Sequence, residues 1–566
     1  MKKLLQRSLL LFLSFVLLTF FSCREKSKAP ANEAIDAINL KKGELVLCSP
    51  PDKQFPDLGF ETSCSEKAKT AFNLGISLLH SFEYDEAEKA FAKIIYDEPE
   101  CAMAYWGVAM CNYHQLWPAP PSPTELTKGV KAISIAQSIS NKSQRESDYI
   151  DAISVFYKDW EKVDHRTRSL NFEKAMEKLY KAYPDDKEAA IFYALALDGA
   201  ADPADKTFAN QKKAGAILNA IYPNEPNHPG IVHYIIHSYD SPELASLGLE
   251  AARKYASVAP YSAHALHMPS HIFTRLGLWD EDINSNLNSI SSAKCYAESA
   301  GINGHWDEEL HGMDYVVYAY LQKGENKLAK DQCNYLDTMK IVYPVNFKVA
   351  YAFAAIPSRY VLENKMWQEA AALNAHKIIP WQKFPWQNAI IHFTRSLGSV
   401  HIGNIDSARA ELNKLKTIHD TLTAQKDTYR ANQVKIQINS AEAWILFKEG
   451  KKDEALQMMK LAADMEDKTE KAPVTPGEVL PASELLADML LEMNKPDKAL
   501  LAYEEDLKKH PNRFNALYYA GSAAEKSGNA EKANKYYLQL TSIAGTNQPD
   551  RPELEAAKSY IKNQRH

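Results

Sequence analysis

The chain has 566 residues, 45% of them hydrophobic, which is too long for one compact core and calls for several domains or an extended repeat array. Its net charge of −6 is spread without large blocks, and the lack of a basic stripe argues against a nucleic-acid partner. Glycine is scarce, 21 residues, while Ala, Leu, Glu and Lys abound, a composition that favours helices.

The first element in chain order is a targeting segment. Lys2, Lys3 and Arg7 form a positive start, and Leu9 to Phe21 is an apolar run of 13 residues, shorter than the ~20 that a membrane span needs. Ser22-Cys23 follows at once. This order resembles the lipobox of bacterial lipoproteins, although Phe20 stands where Leu is usual; a plain cleaved signal peptide is the alternative. The resemblance implies loss of residues 1–22, lipidation of Cys23, and a lipid-anchored place in the cell envelope, periplasmic or surface-facing, with the membrane as a partner. Residues 23–60 read as attachment site and flexible tether, polar from 24 to 45. Cysteines 48, 64, 101, 111, 295 and 333 show no CxxC or CxxCH spacing, so redox dithiols and c-type haem are not expected. Cys48 and Cys64 bracket a Pro-rich loop and can join in an oxidising compartment; separate buried thiols are the alternative.

Residues 74–99 carry a repeat signature: Leu74-Gly75, then Ala87 thirteen residues on, Phe91 four later, and Pro99 as terminator. Leu486, Ala499, Tyr503 and Pro511 repeat these offsets, Gly521, Ala533 and Tyr537 do so again, and Gly450 with Ala455 does so more loosely. Ala499 to Ala533 is 34 residues. This pattern resembles the tetratricopeptide repeat, two antiparallel helices that bury their apolar stripes only by stacking on the next pair. Between the ends, helices are expected near 124–138, 145–160, 168–183 and 187–199, with breaks at Pro118 to Pro121 and Asp202-Pro203, and weaker ones from 340 to 430. The expected fold is an all-α, helix-turn-helix superhelical solenoid. It divides into an N-terminal array (61–204), central His-rich units (205–345) and a C-terminal array (346–566).

Eight of the 17 histidines lie between His228 and His311. With Pro260 as a unit end and Gly277 and Gly324 as inter-helix turns, the repeat register puts His233 and His267 at the fifth place of successive first helices. His237 and His271 take the ninth place, and His264 and His311 the second. Asp314 shares the fifth, and Asp240 follows His237 by three. These offsets keep the side chains on one stripe, which in tetratricopeptide proteins lines the concave groove where ligands are held. The candidate metal ligands are therefore His233, His237, Asp240, His264, His267, His271 and His311, for Zn, Cu, Fe or Ni, with Asp240 or Asp314 alternatively orienting an imidazole. Pro269 interrupts one first helix, and Asp282 holds a place that prefers Ala.

No HExxH site exists, because Tyr234 stands where the Glu would be. Glu308 and Glu309 sit near His305 and His311 and can act as a base for a metal-bound water, or be solvated helix charges. No Ser or Cys nucleophile context and no Gly-rich phosphate loop appears. Tyr105, Trp106, Tyr113 and Trp117, and Tyr234, Tyr239, Tyr261, Tyr315 and Tyr318, read mainly as inter-helix packing. Residues Pro473 to Pro481 are too irregular for helix; such a loop either folds over the groove or connects two arrays. The chain from about 60 to 545 also resembles a widespread bacterial group of His-rich tetratricopeptide proteins, through His228-Pro229-Gly230, His233-Tyr234, His237 and His267-Met268-Pro269-Ser270-His271-Ile272-Phe273. That resemblance implies fold and site location and no reaction. The expected function is a membrane-anchored scaffold with a transition metal in its groove, holding a protein or peptide partner. A metal-dependent hydrolase or oxidoreductase, or a metal-free structural adaptor, are the alternatives.

Overall fold

In the computed structural model, residues 29–48, 55–114, 116, 120–202, 204–544 and 551–564 are described. Antiparallel helix pairs follow one another along nearly all of this length. The first pair shows how the sequence builds them. Ser65 caps the Glu66–His80 helix by accepting from the Ala68 amide, Phe82 turns the chain in a left-handed conformation (φ 58°), and the Tyr84–Asp97 helix returns. A Cβ on Gly75 would lie 2.7 Å from the Phe91 ring, and one on Gly107 of the next helix would meet the same ring at 2.7 Å. Phe91 is thus clasped between two bare backbones, which is how three helices approach closely. Gly521 repeats the contact with Tyr537 at 2.6 Å.

The middle helices fall where the periodicity predicts them: Pro123–Ser138, Gln144–Tyr157, His165–Ala182 and Lys187–Gly199. Capping boxes at Ser122/Glu125 and Ser143/Glu146, and Asp164 and Asp186 as caps, fix their starts. Three first helices carry the histidines: Pro229–Ser238, the run Ala263–His267 plus Pro269–Leu276, and Asp307–Gln322. Met268, between the two halves of the second, keeps right-handed helical angles, so Pro269 removes a hydrogen bond without turning the chain away. Leu249–Val258, Trp279–Ser299 and Asn326–Thr338 are the returning helices. Gly277 and Gly324 make the turns in left-handed conformation (φ 65° and 70°). A two-residue parallel pairing, His305–Trp306 with Val342–Tyr343, ties two connections together.

The array closes on itself. Asn512 Nδ2 donates to the Gly277 carbonyl (3.1 Å), Trp279 Nε1 to the Asn512 carbonyl (2.9 Å), and the Phe514 amide to Gln322 (2.9 Å). Arg513, fully buried, bridges Glu363 and Glu484 at 2.5 Å each. The irregular segment around Pro473 to Pro481 folds across the central helices rather than merely linking arrays. Arg359 donates to its Gly477 carbonyl (2.8 Å), and Lys471 reaches Asp240 (3.5 Å).

Two expectations about the N-terminal part need correction. Residues 32–48 are not a free tether, because Ile35, Ile38 and Leu40 are buried, and the Lys41 and Val46 amides donate to Glu88 and Glu86 of the first repeat. Cys48 does not join Cys64. Cys48 pairs with Cys295 and Cys64 with Cys101, leaving Cys111 and Cys333 as buried thiols. Loop spacing suggested the local pair, but folding brings the 279–299 helix beside Cys48, where Tyr296 also donates to Glu86 (2.8 Å). Cys23 and Trp117 lie outside the described residues. Among the described residues no helix is long and apolar enough to cross a membrane.

Candidate metal centre

Six of the predicted histidines gather into two triads. In each of them one ring nitrogen per residue lies within 4.8 Å of the others: His233, His237 and His264 in one, His267, His271 and His311 in the other. In the first, His233 Nε2 stands 3.0 Å from His237 Nε2 and 3.2 Å from His264 Nε2. His233 Nδ1 donates to the His80 carbonyl (2.6 Å), which can only accept, so its Nε2 carries a lone pair. That one lone pair faces two imidazole nitrogens.

The second triad is more sharply defined. Asn286 Nδ2 donates to the main-chain carbonyl of Asp282 (2.9 Å), which fixes the amide orientation and turns Oδ1 toward His267. His267 Nδ1 therefore donates to Asn286 Oδ1 (2.6 Å). His271 Nδ1 donates to Asp240 Oδ2 (2.9 Å). Burial pushes the Asp240 carboxyl up, but Lys471, Arg275 and His271 around it outweigh burial and hold it ionised, far below the usual range. Both Nδ1 protons are thus committed, and both Nε2 lone pairs face each other at 3.1 Å. Protonating one ring would resolve the conflict in water. Here His267 is fully buried and His271 nearly so, and burial drives both away from the imidazolium form. A cation about 2.0–2.1 Å from both nitrogens would see them about 95–105° apart, an ordinary coordination angle.

A third group behaves differently. His80 Nε2 and His228 Nε2 each meet one oxygen of Glu188 at 2.9 Å, and His80 Nδ1 meets the Tyr234 hydroxyl at 2.9 Å. Burial raises the Glu188 carboxyl, yet the two imidazoles overcome that and leave it well below the usual range. These three nitrogens face oxygens in good hydrogen bonds and make no nitrogen-to-nitrogen contact, while His228 Nδ1 is buried without a hydrogen-bond partner. The group's role is to hold His80, whose carbonyl orients His233.

Surrounding residues shut water out. Phe82 packs its ring 4.4 Å from His233 and 5.5 Å from both His237 and His264. Tyr315 lies 4.6 Å from His267, with its hydroxyl 3.5 Å from His271 Nε2. Burial lowers His237 to about 3 and, with Arg275 nearby, lowers Lys471 to about 8. Arg275 and Lys471, both against Asp240, also line a cavity of about 420 Å³ with Tyr318, Glu478 and His510. A larger cavity of about 900 Å³, lined by Leu47, Phe55 and Leu74, lies at the first repeat.

Residues 485–550 match the tetratricopeptide repeat family model. That segment carries a tetratricopeptide repeat. No curated protein matches the chain at a significant level. Solved structures that resemble it include a tetratricopeptide repeat protein from Parabacteroides merdae, at 14% identity over 54% of this chain and 99% of that one, with a TM-score of 0.28. The human IFIT1 dimer with m7Gppp-AAAA is 13% identical over 82% and 95% of the two chains, TM-score 0.34. The Cut9 and Hcn1 hetero-tetramer of the APC/C is 11% identical over 88% and 89%, TM-score 0.31.

Within this stack of helix pairs the register explains the convergence, since places two, five and nine of three neighbouring first helices meet. Four expectations differ. The stripe does not line an open groove: all but His237 and Asp240 are buried, because the 66–80 helix and Phe82 close one side and the 470–478 strap the other. Asp240 stands outside both triads; its oxygens are taken by His271, Arg275 and Lys471, so it orients a ligand instead. Asp314 pairs with Arg359; burial raises its carboxyl to about 6 even though that guanidinium pulls it down. Glu308 and Glu309 are not solvated: Glu308 is buried against Lys348, and Glu309 against His305 and Tyr335. His80, Glu188, Phe82 and Asn286 gave no spacing signal, since the first two come from other repeats. Asp282 did give one, as a charge where the repeat prefers Ala; it is fully buried, bonded to Thr274 and Asn286, and braces His267 through the latter.

Proposed function

We propose that this chain is a membrane-anchored tetratricopeptide scaffold whose interior binds a divalent transition metal through imidazoles, Zn, Cu, Fe or Ni being the ions suited to such ligands. One observation carries the metal reading: His267 and His271, their tautomers set by Asn286 and Asp240, present lone pairs to each other at 3.1 Å in a dry site. A buried contact of that kind is unfavourable until a cation occupies it. Metal analysis of tag-free protein tests it. Near-stoichiometric metal that falls in His267→Ala/His271→Ala is expected. Metal-free protein whose melting temperature ignores added Zn, Cu, Ni and Fe would return the histidines to packing and the chain to a structural adaptor.

Anchoring is supported by the charged start, the apolar run and Ser22-Cys23, and by two disulfides that accord with an exported chain. Metabolic labelling with a palmitate analogue should mark the wild type and not Cys23→Ser; equal labelling would remove the anchor. Partner binding rests on the repeats, which offer helix faces to a protein or peptide, and a membrane-extract pull-down with mild crosslinking should enrich one. A metal-dependent enzyme is the second reading, favoured by triads of three ligands, which leave a coordination position open, and by the cavity behind Asp240.

A further inference from the structure

The two triads are neighbours rather than separate sites. His264 and His267 stand one turn apart on the Ala263–His267 helix yet serve different triads. His237 of one faces His271 of the other with ring centroids 6.4 Å apart. Each triad supplies three protein nitrogens, whereas ions suited to imidazole take four or more donors, so each leaves at least one position for something else.

Charge narrows what that something is. Six neutral imidazoles add no negative charge to balance two divalent cations. The paired carboxylates around them balance only as a set: Asp240, Asp314, Asp307 and Glu308 face Arg275, Lys471, Arg359 and Lys348, four against four. Excess positive charge in a dry interior is costly, so an anion must enter with the ions.

We propose that the two triads form one dinuclear centre, an ion in His233/His237/His264 and a second in His267/His271/His311, joined by a small oxygen-donor anion such as hydroxide. This rests on the metal reading above and extends it from one ion to a coupled pair, which clamps an oxygen ligand from two sides.

Metal-free, full-length protein dialysed against Cu2+ tests the proposal. Two ions per chain are expected, with an EPR intensity well below two isolated spins because the bridge couples them. Azide, which can bind one ion or bridge two, should add a second charge-transfer band, that of the bridge, only once the second equivalent is bound. His264→Gln and His311→Gln should each fall to one ion per chain and regain a full single-spin signal, with circular dichroism confirming the fold. If either variant fails to fold, the wild-type stoichiometry and spin count still decide. One ion per chain, or two with undiminished spin intensity, overturns the dinuclear centre and leaves the metal reading standing. No bound metal overturns both.

Discussion

At the scale of single residues, the histidines make the metal-free protein acid-sensitive. Burial, and the neighbouring His271, hold His237 at about 3, against about 6.5 in an unfolded chain. A depressed pKa means the unfolded chain takes up the proton first. The contribution to stability is therefore complete above pH 6.5 and is lost as pH falls toward 3, at up to about 1.4 kcal/mol per pH unit for each such imidazole. His233, His264, His267 and His311 shift in the same direction, with burial as the leading cause. The urea midpoint of metal-free protein should fall steeply from pH 7 to pH 5 and stay nearly flat above pH 7. A midpoint indifferent to acid would mean that water reaches these rings. Asp240→Asn probes the ligand support separately. It keeps the size of the side chain but weakens its acceptor for His271 Nδ1, and metal affinity should drop about 10- to 100-fold by equilibrium dialysis. An unchanged affinity would show that the tautomer needs no carboxylate.

At the scale of elements, two inter-helix glycines separate backbone strain from docking. Gly450 sits at φ 84° with open space where a Cβ would stand, so Gly450→Ala should cost about 1 kcal/mol from left-handed strain alone. Gly277 has φ 65°, and a Cβ there would lie 2.3 Å from the Pro511 carbonyl oxygen. Gly277→Ala should cost at least about 1–2 kcal/mol more in urea unfolding, since backbone must move. Equal costs would mean that the 511–512 turn does not press on Gly277. These elements also mark what the sequence could reveal. Periodicity found the helix pairs, and the anchors Pro260, Gly277 and Gly324 gave the register that brings six imidazoles together. It could not give His80, 153 residues from His233, or Glu188, 108 residues from His80, because both arrive through packing that no local spacing encodes. It also missed the burial, because a groove is open or shut according to what folds over it, and Phe82 and the strap lie outside the histidine repeats.

At the scale of the molecule, cross-links bind distant parts. Cys48–Cys295 spans a separation of 247 residues and Cys64–Cys101 one of 37. Chain-entropy reasoning assigns the longer loop about 5.5 kcal/mol and the shorter about 4. Reduction under native conditions should lower the melting temperature by several degrees, with Cys295→Ser accounting for the larger part. A larger loss in Cys101→Ser would point to the first repeat, rather than its tie to the 279–299 helix, as the more dependent region.

The seam where the 511–515 turn seats on Gly277, Gln322 and Glu363 has one more consequence. Open arrays of this kind can gain or shed a unit during evolution, because each unit touches only its neighbours. Here both sides of the seam belong to a loop of chain that must come back to its own starting point. Duplicating 34 residues anywhere between Gly277 and Asn512 would carry the returning turn past its seat. The number of units in this stretch is thus locked by geometry, as the number of staves is in a barrel.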